Sequence, residues 1–273
     1  MAHPLFVVDA FTDRAFAGNP AAVVILDAPA PPEWCQAVAA EMNLSETAFV
    51  SSRPDDTFDL SWFTPSVEVD LCGHATLASA HVLREASGAA DDTTVVFHTR
   101  SGALAARFVG DRIELDFPSR PPARVACSEA LVAALGAAPD EMWSHAEGYE
   151  VAVFADPETV RDLRPDHAAL RAYGRHGIIV TAAGDVDAGH DVGGACADFV
   201  SRYFAPGAGI EEDPVTGSAH CVLAPLWAER LGSKLVTGHQ VSARGGRVEC
   251  EIDGDRVLLR GRAVTVVRGS LAV

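Results

Sequence analysis

The sequence predicts an α+β protein made of two similar halves, each a curved sheet wrapped around one central helix. Three observations support this prediction: two segments that recur at a constant offset, short strand-like runs, and two glycine-led segments that are apolar on nearly every side. Hydrophobic residues make up 48% of the 273 positions, which is enough to bury a full core and argues against disorder.

The repeat emerges when the chain is compared with itself. LCGHATLASAHVLREA (71–86) aligns with VTGSAHCVLAPLWAER (215–230), and TRSGALAARFVGDRIEL (99–115) aligns with ARGGRVECEIDGDRVLL (243–259), both at an offset of 144. Two blocks that share one offset indicate an internal duplication. The proline-rich PSRPPA (118–123) is typical of a linker. We therefore expect domains over 1–118 and 124–262, with a C-terminal strand, 263–273, that returns to the first domain.

Local patterns predict the elements of each half in turn. LFVVDAF (5–11) and YEVAVFA (149–155) are strand-like, and PPEWCQAVAAEMN (31–43) opens with proline and continues with helix formers. GRVECEIDGDRVLLRG (246–261) predicts two alternating strands around an Asp-Gly turn. The glycine-led segments of the repeat, apolar on most faces, predict buried helices.

Composition excludes several classes of partner. A formal net charge of −17 argues against nucleic acid and against an anionic membrane, although a small anionic substrate remains compatible with it. No apolar run is long enough to span a bilayer, and the N-terminus lacks the features of a signal peptide. The six cysteines are scattered without a CxxC pair, which is typical of reduced thiols. We expect a soluble cytoplasmic protein.

The two glycine-led helix starts are candidate anion sites. A helix N-terminus offers unpaired N–H groups, and glycine there lets a ligand approach the backbone closely. Gly73-His74 and Gly217-Ser218 occupy this position in the two halves. A glycine at one helix start is often only a steric convenience, but two such sites at one offset favour a functional role.

Titratable residues near these helices suggest acid/base chemistry. NLSETAFV (43–50) is strand-like and places Glu46 on one face with Leu44, Ala48 and Val50. A carboxyl group withdrawn from water can serve as a general acid/base. An edge strand with Glu46 in solvent explains the pattern equally well. His74 is a natural proton partner, although a lone histidine is more often structural.

The sequence does not decide the roles of several other polar residues. Asn19 in AGNPAAVV is either an ordinary turn residue or an amide that binds substrate. The spacings Cys72-x-His74 and His220-Cys221 are too tight for the usual zinc ligand pairs, so we expect no metal. Motifs that bind nucleotides or flavins are not found, so no cofactor is indicated. Within GIEEDPVTGSAHC (209–221), Glu211 and Glu212 are consistent with a solvated loop.

Several segments together resemble the PhzF-like family of phenazine biosynthesis. They are DAFTDRAFAGNPAAVV, NLSETAFV, WFTPSVEVDLCGHATLASAHVL, SRYFAPGAGIEEDPVTGSAHCVLAPLW and QVSARGG, and they cover essentially the whole chain in order. The resemblance implies a diaminopimelate epimerase-like fold of two pseudo-symmetric domains with the active site between them. It also implies a homodimer, because family members commonly form one.

The resemblance implies site roles as well. In the family's type member, an isomerase of dihydro-3-hydroxyanthranilate, a glutamate shuttles a proton without cofactor or metal, assisted by a histidine and an aspartate. Glu46, His74 and Asp213 stand at the matching positions. Substrate binding is then expected from residues beside them, namely Asn19, Cys72, Gly73, Thr216, Gly217 and Ser218.

Two alternative functions remain open from the sequence. Related epimerases use one cysteine on each glycine-led helix, and this chain has Cys72 before Gly73 but Thr216 before Gly217. A threonine hydroxyl is too weak an acid for that role, which favours carboxylate chemistry at Glu46 over a racemase that uses Cys72. The other alternative is a non-catalytic protein that binds a small molecule.

Overall fold

The computed structural model describes residues 2–174, 177–184 and 196–273. Its helices are α1 (Pro32–Met42), α2 (Gly73–Ser87), α3 (Glu129–Leu135), α4 (Pro157–Asp162), α5 (His167–Tyr173) and α6 (Gly217–Leu231), with a 3-10 turn at Pro206–Ala208. Its strands are β1 (His3–Ala10), β2 (Asn19–Leu26), β3 (Glu46–Ser52), β4 (Phe58–Phe63), β5 (Glu68–Val69), β6 (Thr94–Thr99), β7 (Gly102–Val109), β8 (Arg112–Pro118), β9 (Ala123–Val125), β10 (Glu141–His145), β11 (Tyr149–Val153), β12 (Ile178–Ala183), β13 (Phe199–Ala205), β14 (Ile210–Asp213), β15 (Leu235–Gln240), β16 (Gly246–Asp253), β17 (Arg256–Gly261) and β18 (Ala263–Leu271).

The chain folds into two compact units. Unit 1 contains Met1–Asp116 and Leu259–Val273, and unit 2 contains Phe117–Leu258. The domain limits drawn from the sequence, 1–118 with 263–273 and 124–262, stay a prediction. None of the helices in the described part of the chain is both long enough and apolar enough to cross a membrane.

Unit 1 is a curved sheet with α2 packed against it. From β18 the sheet runs through β1, β2, β3 and β4 to β6 and β7, with β5 beside β4. Helix α2 packs on β1, β2, β3, β7 and β18, and most of its residues are buried. A buried helix against the sheet is the arrangement predicted for this half.

Strand β3 lies in the interior of this sheet. It pairs in parallel with β2 and antiparallel with β4, and its first six residues are buried. The interpretation of NLSETAFV as an edge strand with Glu46 in water is therefore wrong: Glu46 is only 8% exposed. Both faces of β3 are covered, since consecutive residues are buried and both α1 and α2 pack on the strand.

The repeated segments adopt matching local structures. Helices α2 and α6 have 15 residues each, begin at Gly73 and Gly217, and end at glycines in the left-handed conformation, Gly88 and Gly232. Strands β7 and β16 have 8 residues each and also start at the predicted offset. The predicted hairpin over 246–261 is present as β16 and β17, with Gly254 at φ 61° in its turn.

The segment PSRPPA forms a hydrogen bond to α6 at a carbonyl that a proline inside the helix leaves free. Pro225 has no N–H to donate to the carbonyl of Cys221 one turn earlier. That carbonyl instead accepts a hydrogen bond from the backbone N–H of Arg120 at 3.0 Å. Ser119 donates similarly to Asp255 O at 2.8 Å. The segment PSRPPA is thus held against unit 2 by its own backbone.

Unit 2 is a mixed sheet in which β13 has a central place. Strand β13 pairs antiparallel with β12 and β14 and in parallel with β15, and β9, β10 and β11 extend the sheet beyond β12. Helix α6 packs on β15 and β16. Trp227 and Phe204 are buried here, and Trp62 is buried in unit 1.

The acidic run before α6 is part of this sheet. Residues 210–213 form β14, and Glu212 receives two hydrogen bonds from the Arg202 guanidinium, Nε to Oε1 at 2.7 Å and Nη2 to Oε2 at 2.9 Å. The expectation that Glu212 lies in a solvated loop is therefore wrong. Glu211 is exposed as expected, but it lies in β14 and not in a loop.

Candidate functional site

Four of the predicted site residues meet inside unit 1. Asn19 begins β2, Glu46 begins β3, and Cys72 and His74 lie at the start of α2, where the polar ends of three elements converge. All four are buried, and Asn19 is fully inaccessible. With Ser45, which contacts Asn19, they form what we call the His74 cluster.

His74 presents its two ring nitrogens to different neighbours. Nε2 lies 3.1 Å from Oε2 of Glu46, while Nδ1 lies 3.2 Å from Nδ2 of Asn19 and 3.5 Å from Sγ of Cys72. The Nε2–Oε2 approach is close, but neither atom has a well-aligned hydrogen bond within the described chain. Contacts of catalytic groups are often loosely aligned before a substrate binds.

The cluster changes the acidity of its members. Burial raises the pKa of the Cys72 thiol, and the nearby Glu46 adds to the effect. Burial lowers the pKa of His74, but Cys72 and Glu46 outweigh it and raise that pKa well above its usual value. An imidazole that gains a proton beside a buried carboxylate suits proton transfer.

The same residues supply a possible metal donor set. Glu46, Cys72 and His74 offer oxygen, sulfur and nitrogen atoms within 4.8 Å of one another, although their sequence spacing argued against a metal. One ion would use one imidazole nitrogen, whereas His74 directs Nδ1 towards Cys72 and Nε2 towards Glu46. This arrangement fits a hydrogen-bonded cluster better than a coordination site.

A second group of predicted residues lies in unit 2. Asp213 ends β14 and is 8% exposed, and its Oδ2 accepts a hydrogen bond of 2.5 Å from the Thr216 hydroxyl. Thr216 precedes α6, whose first residues are Gly217, which is buried, and Ser218, which is half-buried. The carboxylate is therefore held beside the N-terminus of the helix.

Sequence reasoning missed Gln240 as a member of this second group. Its Oε1 accepts the Thr216 N–H at 2.8 Å, and its Nε2 donates to the Asp213 carbonyl at 2.7 Å. The residue is fully buried at the end of β15. The segment QVSARGG contains it, but a buried amide cannot be told from a surface amide by sequence alone.

Both helix starts have the character of anion sites. The first turn of a helix leaves N–H groups without intrahelical partners, and the helix dipole is positive there. Cys72 and Thr216 precede the helices in extended conformation, and neither caps its helix with its side chain. The backbone at Gly73 and Gly217 therefore retains the features that predicted anion binding.

A buried histidine follows one turn after Thr216. Nδ1 of His220 lies 2.8 Å from the Thr216 carbonyl and so carries the proton, while Nε2 is buried without a hydrogen-bond partner in the described residues. A side chain at Gly238 would collide with Nε2. Burial lowers the pKa of His220 to about 4, against a small opposing effect of the hydrogen bond to Thr216.

The lowered pKa of His220 predicts that the protein loses stability in mild acid. The unfolded chain binds a proton at His220 below about pH 6.5 and the folded chain only below about 4, so stability falls as the pH decreases through that interval. In His220→Gln, the difference in unfolding free energy between about pH 7.5 and 4.5 should shrink by about 2–3 kcal/mol. Urea denaturation at both pH values measures it. An unchanged difference would contradict the prediction.

Comparison with known proteins places the chain among relatives along its whole length. Residues 8–269 match the family described as phenazine biosynthesis-like protein, PhzC-PhzF. An uncharacterised isomerase of Pseudomonas aeruginosa is 47% identical over 98% of both chains, and one of Halalkalibacterium halodurans is 43% identical over 99% of both. A human phenazine biosynthesis-like domain-containing protein is 40% identical over 98% of both.

Solved structures agree with these relatives. A PhzF-family protein from Enterococcus faecalis superposes with a TM-score of 0.92 at 41% identity, over the full length of both chains. A hydroxyproline epimerase from Agrobacterium vitis has a TM-score of 0.60 at 13% identity, covering 100% of this chain and 93% of that chain, which shows an epimerase-like fold alone. The chain therefore belongs to the PhzF family of phenazine biosynthesis-like isomerases.

Proposed function

We propose that the chain is a cofactor-independent isomerase in which Glu46 moves a proton between two carbons of a small metabolite. The observation that carries this proposal is the buried Glu46 carboxylate, 3.1 Å from Nε2 of His74. A buried carboxyl group is costly unless its environment uses it, and this one lies beside an imidazole.

The proposed reaction requires no change of oxidation state. Glu46 as carboxylate removes a proton from a carbon, and the electron pair delocalises into an adjacent double bond or carboxylate of the substrate. The resulting carboxylic acid returns the proton to a second carbon, which regenerates Glu46. This chemistry calls for a cyclic or unsaturated carboxylate, because only such a substrate makes the C–H bond acidic enough.

Other residues of both units complete the proposal. His74 would stabilise charge as the proton moves, and Asp213, held by Thr216, would act as a second polar group on the substrate. The helix starts at Gly73, Gly217 and Ser218 would receive the substrate's carboxylate or a developing oxyanion. We further propose a cytoplasmic homodimer that acts on an anionic metabolite, as the family resemblance implies.

A racemase based on Cys72 is less well supported. Burial raises the pKa of Cys72, and the equivalent position before α6 holds Thr216, whose hydroxyl is engaged with Asp213. Cys72 is therefore not prepared as a thiolate base, and Thr216 has no thiol. If alkylation of Cys72 abolished activity while Glu46→Gln remained active, the racemase would become the better interpretation.

Solvent-deuterium exchange tests the proposal. Wild-type protein and Glu46→Gln are incubated in deuterated buffer with a panel of cyclic and unsaturated carboxylates, and label incorporation is read by mass spectrometry. We expect at least one compound to gain deuterium with wild type and none with Glu46→Gln. A folded wild-type protein that labels no compound of the panel, or a variant that labels as fast as wild type, would overturn the assignment.

A further inference from the structure

Asn19 was expected to be a turn residue or a substrate-binding amide, and its position suggests a different use. It is fully inaccessible, and its side chain lies between His74 and Ser45. Nδ2 is 3.2 Å from Nδ1 of His74, and Oδ1 accepts a hydrogen bond of 3.2 Å from the Ser45 hydroxyl. The Asn19 amide therefore bridges the imidazole of His74 on α2 and the hydroxyl of Ser45, the residue before β3.

The Asn19–Ser45 pair can either donate to Nδ1 of His74 or accept from it. An amide offers a donor and an acceptor on one planar group, and a hydroxyl both donates and accepts. The amide nitrogen of Asn19 lies on the side of Nδ1, an orientation that suits an unprotonated Nδ1. A half-turn of the amide would place Oδ1 against a protonated Nδ1, and the Ser45 hydroxyl would then accept from Nδ2.

We propose that Asn19, held by Ser45, is a positioning residue that satisfies Nδ1 of His74 in both of its protonation states. Without such a partner, a ring buried as deeply as His74 would lose a hydrogen bond whenever it gained or released a proton, which is costly in the interior. The pair thus lets a buried imidazole titrate. Its catalytic importance rests on the proposed function.

The surroundings of His74 let the effect be isolated. Among the described residues, the titratable groups in contact with His74 are Glu46 on β3 and Cys72 at the start of α2. Asn19 and Ser45 are uncharged. Uncharged substitutions at these two positions leave both titratable neighbours in place and add no charge, so a shift in the titration of His74 reports the amide.

The test uses two variants that change which hydrogen bonds position 19 can offer to Nδ1 of His74. Asn19→Asp accepts but does not donate and should favour the protonated ring, whereas Asn19→Leu offers neither and should favour the neutral ring. Titration of His74 by NMR with labelled histidine should therefore shift to higher pH in Asn19→Asp and to lower pH in Asn19→Leu. Asn19→Asp also adds a charge that by itself raises the pKa of His74, so Asn19→Leu and the Ser45 pair, which add no charge, decide whether the amide acts.

Ser45 supplies the control for folding and for the bridge itself. Ser45→Thr keeps the hydroxyl and should titrate like wild type, while Ser45→Ala removes the far end of the bridge and should shift the titration. If the folded Asn19 variants titrate like wild type, or both shift in the same direction, the proposal is overturned. If Asn19→Leu does not fold, the Ser45 pair decides. The titration requires no substrate, so failure to find an exchanging metabolite would leave this result standing.

Discussion

Glu46→Gln and His74→Gln are each expected to slow deuterium exchange by roughly 10²–10⁴-fold, the range that a general acid/base contributes. The double variant is expected to be little slower than either single variant. In the proposed mechanism both residues act on one proton across a contact of 3.1 Å, so removal of one would disable the other. Independent contributions would instead multiply.

The measurement compares the initial rates at which wild type, the two single variants and the double variant introduce deuterium into one compound. That compound is one that wild type labels. Glu114→Gln serves as a matched control, because Glu114 is also a buried glutamate of unit 1 but is bound by Arg107 and Arg260. It should retain the wild-type rate if the variant folds. A double variant slower by the product of the two single effects would show that Glu46 and His74 work separately.

Arg202→Met is expected to lower the unfolding free energy by about 3–5 kcal/mol, the cost of breaking a buried ion pair. The Arg202 side chain is only 10% exposed and pairs with both oxygens of Glu212. Its Nη1 also donates to the carbonyls of Leu163 at 2.8 Å and Val160 at 3.2 Å, which lie at the C-terminal end of α4. The variant would leave a carboxylate and several carbonyls without this donor.

Chemical denaturation at neutral pH measures this loss. Arg161→Met is the matched control, since Arg161 pairs with Glu158, which is largely exposed, and such a pair contributes only about 0–1 kcal/mol. Arg202→Lys keeps the charge but loses the planar fork and should fall between the two. A loss of less than about 1 kcal/mol for Arg202→Met would show that Glu212 and the carbonyls find solvent instead.

The sequence predicted the parts of the fold that depend on local pattern. The glycine-led helices and the hairpin over 246–261 were found because the repeat marks them twice and their ends carry glycines. Whether Glu46 faces solvent or the interior could not be predicted, since alternation in β3 is the same for an edge strand and a central one. Only the pairing of β3 with both β2 and β4 decides it.

The contacts of the candidate site were less predictable for a related reason. Asn19 and His74 are 55 positions apart, and Gln240 and Thr216 are 24 apart, so no local pattern reveals that they touch. Buried amides also have no periodicity of their own. Glu212 was misjudged because its partner, Arg202, belongs to another strand, and charged residues are normally exposed unless paired.

The equal length and equal glycine endings of α2 and α6 have an evolutionary consequence. A tandem duplication of one ancestral gene segment would have produced two copies with the same equipment, and selection could then relax in either copy. The present chain carries cysteine and histidine around the first glycine and threonine and serine around the second. The two helices have therefore kept the same length and glycine ends while the side chains at their starts have diverged.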